Sequence, residues 1–325
     1  MNKIFFVMLF FALATVEGCG QAKLYHDAPP LEFENFNYGF KTEKAVLNGI
    51  EVAYYDNKAN GTPIVLIHGL ASNMGFWRYV IPELEQKGFR VVAIDLPGYG
   101  KSAKPYSAPY TLSFYAQTVN ELLKHVGIQK AIWAGHSMGG QISIVAALNF
   151  PERIERLVLI APAGIEAFKQ GEGEWLRNAT NPDFIKNTPP DRIRANYSNN
   201  FYTWKDQYEW MIEERVRMIK AKDFERFAYA VWKCVGAMLD EPVWDKLERI
   251  TFPTLIVAGE NDNLIPNPFL HGGKTVDVMN IGKEKIKRSK LVMLPETGHM
   301  LIVERAKELV EEIGKFAGSV VIKTE

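Results

Sequence analysis

The sequence predicts an α/β protein: a doubly wound, mostly parallel sheet carrying a helical insertion. Three observations lead there. Short apolar runs alternate with helical patterns along most of the 325 residues, the order expected of a parallel sheet covered on both faces. From Ala161 to about Ile250 the alternation stops and only helical stretches appear. A compact domain does not hold a structureless loop of that length, so the segment reads as a helical insertion between two strands. Finally, Gly135-His136-Ser137-Met138-Gly139 stands where an apolar strand gives way to an apolar helix.

Composition narrows the function classes. Apolar residues at 47% and charged residues at 23% exclude disorder as a description of the whole. The 38 basic and 38 acidic side chains cancel, so no long-range field gathers nucleic acid or an acidic membrane, and no nucleic-acid partner is expected. Two cysteines cannot build a disulfide framework or a four-thiolate zinc site.

Residues 1–18 stand apart. Lys3 precedes an unbroken apolar run of eleven, Ile4 to Ala14. That is short of the ~20 residues of a membrane span and suits the apolar region of a secretory signal. The run leads into Val16-Glu17-Gly18-Cys19, which resembles the bacterial lipobox, whose Cys becomes the lipidated first residue of the mature chain; Glu17 departs from that pattern. The expectation is export to the bacterial cell envelope, with the protein periplasmic or held at a membrane by a lipid on Cys19. Ordinary secretory cleavage and an uncleaved anchor are the other readings. Cys234, in a helical stretch, reads as a small buried hydrophobe. Residues 19–44 carry Tyr25, Phe33, Phe36, Tyr38 and Phe40 without a period and read as an extension packed on the body.

Strands are predicted at 52–55, 63–67, 90–94, 131–134, 157–160, 254–258 and 290–294, and helices at 76–86, 112–126, 138–149 and 302–316. The core is expected over 45–164 and 251–325, with 165–250 as a helical lid over the crevice at the sheet's carboxyl end. Five of the seven tryptophans fall in that lid. They either hold a small helical unit onto the sheet or form an apolar wall for a ligand.

The chemistry centres on Ser137. A tight strand-to-helix turn holds its backbone strained and leaves Oγ exposed, and the small residues two before and two after let neighbouring backbone approach. The helix N-terminus also offers N–H groups, that of Met138 among them, to a developing anion. A serine needs a base. Of six histidines, His299 follows an apolar strand at the crevice, while His136 points away from Oγ and His125 lies on a helix. The order Ser, acid, His places the acid between 137 and 299, just after a strand. Asp262 fits best, with Glu260 the runner-up; Asp240 and Asp245 lie in the insertion. After strand 63–67, His68-Gly69-Leu70 turns so that the Leu70 N–H forms a second oxyanion donor; His68 braces the loop. Asp95 reads as a structural loop residue, and Glu213–Arg226 as a solvated helical face. Gly272-Gly-Lys-Thr275 lacks the first glycine of a phosphate loop, its position being Pro268. No histidine or cysteine cluster has metal-ligand spacing, and neither metal nor cofactor is expected.

Together, His68-Gly69, Asp95-Leu-Pro97-Gly98-Tyr-Gly100-Lys-Ser102, the Gly135–Gly139 turn, Gly259-x-x-Asp262 and Gly298-His299 resemble the α/β-hydrolase superfamily over residues 45 to 318. The resemblance implies a Ser137–His299–Asp262 triad and a lid at roughly 165–250. Ala161-Pro-Ala-Gly164-Ile165 is similar to the bacterial esterase/lipase branch. Haloalkane dehalogenases and epoxide hydrolases carry Asp where this chain has Ser137. The 37-residue interval from Asp262 to His299 is long for the family, and Asn267–Ser289 reads as an insertion bordering the site. The expected activity is hydrolysis of a small-molecule carboxylic ester with an apolar acyl group, through an acyl-enzyme on Ser137. A carbon–carbon hydrolase of ring-cleavage products and a catalytically weak binding protein of the same fold are the alternatives. An aminopeptidase would need an acidic pocket that the sequence does not place. Oligomeric state is not legible.

Overall fold

The computed structural model describes Tyr25 and residues 27–318. The expected export segment and Cys19 lie outside the described residues. Eight strands form one sheet: β1 Glu43–Leu47, β2 Ile50–Asp56, β3 Pro63–Ile67, β4 Arg90–Ile94, β5 Ala131–His136, β6 Ile154–Ile160, β7 Thr254–Gly259 and β8 Ser289–Leu294. Their order is β1-β2-β4-β3-β5-β6-β7-β8. β1 and β2 pair antiparallel, β2 pairs antiparallel with β4, and every later pairing is parallel. The seven predicted strands are all present. β1 was not foreseen, because its sequence, Glu-Lys-Ala-Val-Leu, buries only Ala45 and Leu47 and shows no apolar run.

The helices are α1 Ile81–Gln86, α2 Leu112–His125, α3 Met138–Asn149, α4 Gln170–Ala179, α5 Pro182–Asn187, α6 Pro190–Asn199, α7 Glu209–Met218, α8 Phe224–Asp240, α9 Thr275–Lys285, α10 Leu301–Glu304 and α11 Ala306–Gly318. The expected helix 76–86 is two pieces, a 3-10 turn Met74–Trp77 and then α1. Pro82 explains the division, since its ring excludes it from a helix interior and suits it to the first turn. The helix expected at 302–316 breaks at Arg305. Asn267–Ser289 is not an extra segment: it holds α9, the crossover between β7 and β8.

Chain order reverses around β3. β4 lies on one side of it and β5 on the other, so the carboxyl ends of β3 and β5 diverge into a crevice, the usual ligand position in such sheets. Ile67 pairs with Gly135 there. Helices α4 to α8 all fall between β6 and β7. The aromatic extension binds both layers: Phe33 packs 5.7 Å from Phe227 of α8, and Tyr38 donates a 2.8 Å hydrogen bond to buried Asp95. Leu31 N–H donates to the Arg217 carbonyl, and the Arg217 side chain donates to the Pro29 carbonyl. No helix among the described residues is long and apolar enough to cross a membrane.

Candidate active site

Ser137 sits between β5 and α3 with φ 55° and ψ −118°. A non-glycine residue there costs on the order of 1–3 kcal/mol and persists only where its surroundings over-determine it. They do. Its N–H donates to the Ile160 carbonyl at 2.9 Å, and its own carbonyl accepts from Gly140 and Ala163. A Cβ at Gly135 would stand 2.0 Å from the Gly139 carbonyl oxygen, and one at Gly139 would stand 2.2 Å from that of Ile67. Both glycines are therefore required by the close passage of α3 over β5 and β3.

Asp262 and His299 come together behind this turn. His299 Nδ1 lies 2.7 Å from Asp262 Oδ2, and both residues are buried. Asp262 Oδ1 accepts from the N–H groups of Leu264 and Ile265, which fixes the carboxylate. With Nδ1 turned to the carboxylate, Nε2 is the ring nitrogen left to meet a reacting group. His299 and Ser137 line one cavity of about 930 Å³ together with Gly69 and Leu70. His136 packs its ring 4.9 Å from that of His299, with Nε2 3.0 Å from the His299 carbonyl oxygen. Burial and the neighbouring His299 hold His136 down at about 3, so it is neutral and donates to that carbonyl. Glu260, the runner-up acid, is exposed.

The loop after β3 is braced from its first residue. Burial lowers His68 to about 4, so its ring is neutral. Nε2 accepts from the Leu96 N–H at 3.1 Å, which leaves Nδ1–H to donate to the Gly69 carbonyl at 2.8 Å. That carbonyl and the Leu70 N–H belong to one peptide plane and point in opposite directions. Fixing the one aims the other. A Cβ on Gly69 would stand 3.1 Å from Ser137 Cβ, so the Leu70 peptide passes close to the serine. Met138 is the first residue of α3, whose N–H has no acceptor within the helix.

Asp95 accepts from Met74 N–H, Lys101 N–H and Tyr38 Oη–H at 2.7–2.8 Å; burial raises it to about 6. Cys234 is buried, its Sγ 3.1 Å from Tyr115 Oη. Among the described residues no group of three or more His, Cys, Asp or Glu side chains is placed to hold a metal ion.

Three groups at the site were not foreseen. The stretch 213–226, expected to be solvated, contributes two adjacent residues of α7 to the interior. Glu214 is buried and accepts from Asn73 Nδ2 at 2.8 Å. Arg215 lines the cavity, its Nη1 buried without a hydrogen-bond partner in the structure. Their charges suggested water, but α7 buries Met211, Ile212, Glu214, Val216 and Met218, so more than one of its faces is covered. His271 is the third: Nδ1 meets Glu166 Oε1 at 2.5 Å and Nε2 meets Glu172 Oε2 at 3.3 Å. Those pairings, 105 and 99 residues apart, leave no local trace in sequence.

The comparisons now bear on this geometry. Residues 62–306 match the family described as the alpha/beta hydrolase fold. The chain belongs to that family. It is 28% identical over 295 residues to an uncharacterized hydrolase of Bacillus subtilis, a match covering 83% of this chain and 95% of the relative. It is 26% identical to Lipase 3 of a Moraxella strain, covering 83% and 82%. A probable hydrolytic enzyme from Pseudomonas aeruginosa superposes with a TM-score of 0.78 at 25% identity, over 90% of this chain and 99% of that one. The chain is thus a hydrolase of the α/β fold.

Glu166 raises the pKa of His271 by hydrogen bond and charge, with Glu172 adding to it. A raised histidine stabilises the folded state fully below its ordinary value of about 6.5 and stops doing so as pH climbs through the raised value. Hydrogen exchange of residues 263–274 is therefore expected to accelerate, beyond the intrinsic chemical trend, as pH rises above about 6.5 and passes through the raised His271 value. His271→Ala should abolish that difference; an unchanged profile would refute a stabilising role for the His271 pairing with Glu166 and Glu172.

Proposed function

We propose that the chain is a serine hydrolase cleaving a carboxylic ester with an apolar acyl group. The observation that carries this reading is the convergence on one cavity of strained Ser137 and of His299, whose far nitrogen is bound to buried Asp262. On this reading Ser137 Oγ attacks the ester carbonyl while His299 Nε2 takes its proton. Asp262 holds the tautomer and stabilises the imidazolium, and the N–H groups of Leu70 and Met138 receive the oxyanion. His299 then returns the proton to the departing alcohol. Water, deprotonated by the same nitrogen, attacks the acyl-enzyme and frees the acid. No step requires a cofactor. Helices α4 to α8 act as the lid, and cavity residues such as Leu176, Val235 and Leu239 supply an apolar surface to the acyl chain. Ser137→Ala is expected to lower kcat on p-nitrophenyl butyrate by at least about 10⁴-fold, with circular dichroism unchanged. Fluorophosphonate should label Ser137 in the parent protein; residual turnover above about 10% in the variant would remove the serine from the chemistry.

One observation favours a second reading. Arg215 also lines the cavity; its guanidinium lies 5.0 Å and 5.2 Å from the ring centroids of Phe224 and Phe227, and its Nη1 has no hydrogen-bond partner in the structure. A buried donor left open is costly unless a ligand completes it. The carboxylate of a dienoate product of aromatic ring cleavage would do so, and the bond broken would then be carbon–carbon. Arg215→Met should lower kcat/KM at least about tenfold on such a dienoate and leave p-nitrophenyl butyrate within about threefold. Equal losses on both would exclude the guanidinium from recognition.

We further propose export through residues 1–18 and acylation at Cys19, supported by the apolar run Ile4–Ala14 and the Gly18-Cys19 junction. Expressed in a bacterium fed labelled fatty acid, the full chain should take up label and Cys19→Ala should not; label on neither would refute acylation.

A further inference from the structure

The loop that carries the Leu70 N–H is held at two ends. His68 fixes the Gly69–Leu70 peptide at the start, as described above. Ala71 then adopts φ 53°, a conformation that a residue with a Cβ keeps only under external constraint. The second anchor is Asn73. Its Oδ1 accepts from Gly75 N–H at 2.9 Å and caps the turn Met74–Trp77. Its Nδ2 donates to Glu214 Oε1 at 2.8 Å, 141 residues away on α7. Both ends of this amide are thereby committed, and its plane is set by the lid helix.

Helix α7 grips the same turn elsewhere. The Trp210 ring lies 5.2 Å from that of Phe76 in an edge-on arrangement, and the Arg78 guanidinium sits 3.5 Å over Trp210. Those contacts would persist without Glu214. A carboxyl group buried to make one hydrogen bond is a poor way to stabilise a fold, since apolar packing of similar volume usually does as well or better. What the carboxyl supplies is direction. Burial pushes it up to about 7, opposed by the Asn73 hydrogen bond and by Arg78 and Lys101, and assisted by Asp95. Tyr38 and Tyr197 also stand within its field. Either protonation state keeps an oxygen that accepts from Asn73.

We propose that Glu214 is a positioning residue for the oxyanion hole: through Asn73 it holds the strained segment 70–72, so that docking of the lid and alignment of the Leu70 N–H are one event. This inference rests on the serine-hydrolase reading and adds a lid residue that never touches substrate to the apparatus of transition-state binding. Misplacement of a donor by ~1 Å can cost about 10²-fold in rate, so the effect should appear in kcat rather than in KM.

The test exchanges donor and acceptor. Asn73→Asp keeps the cap on Gly75 but sets one carboxyl against another. Glu214→Gln alone keeps an acceptor oxygen. The combined N73D/E214Q protein restores a hydrogen bond with its polarity reversed. With p-nitrophenyl acetate, N73D is expected to lose at least about tenfold in kcat with KM within about twofold; E214Q should stay within about threefold, and the double variant should recover to within about threefold of the parent. A double variant no faster than N73D, or N73D at parental kcat, overturns the proposal. Thermal melts identify any unfolded variant; should N73D not fold, Glu214→Ala replaces it, with an expected kcat loss of at least about tenfold that parental kcat would contradict. Fluorophosphonate labelling and ester turnover by the parent protein report separately on the serine-hydrolase reading. If the parent shows neither, that reading fails and the proposal with it; if it shows both, only the variants decide.

Discussion

The site depends on how closely α3 passes over the carboxyl ends of β3 and β5. With a Cβ at Gly139 only 2.2 Å from the Ile67 carbonyl oxygen, the approach is at the limit of contact. That approach fixes the start of α3, and with it the strained backbone of Ser137 and the direction of the Met138 N–H. It also brings the loop after β3 against the serine. Strain at the serine and the placing of the Leu70 and Met138 N–H groups beside it are thus two results of one packing constraint.

Around that fixed centre, the three loops that complete the site are each tied to the helical insert. The loop after β3 reaches Glu214 through Asn73. The loop after β7 reaches Asn199 through Asn263, and Glu166 through Asn267. The loop after β8 reaches Asn200 through Met300 N–H, while Glu304 accepts from Gly298, Tyr202 and Thr203. Gly298 permits this, since a Cβ there would meet the Asn200 carbonyl oxygen at 2.5 Å. Preorganised donors lose little to reorganisation when charge develops, and on the proposed reading these ties to the insert would supply that rigidity.

The sheet was legible in sequence wherever strands are covered on both faces. The runs at 63–67 and 90–94 coincide with β3 and β4 because continuous apolar sequence has few other uses at that length. β1, half exposed and partly charged, left no such mark. Of the site, Asp262 and His299 could be placed by their positions after strands, and the structure brings them within 2.7 Å. Glu214 and Arg215 could not. Charge on a helix signals solvent unless the packing of both its faces is known, and only tertiary structure supplies that. The same holds for His271, whose partners stand about a hundred residues away in the chain.

The sequence separations of these contacts bear on the order of events during folding. Asn73 and Glu214 are 141 residues apart, and His136 reaches the His299 carbonyl across 163. Non-local contacts of this kind form late, because chain closure must precede them. A nascent or partly collapsed chain can therefore form the turn at Ser137 before His299, Asp262 and the loop after β3 are assembled around it. On the proposed serine-hydrolase reading, incomplete molecules would stay chemically silent, and activity would report on the maturity of the whole fold.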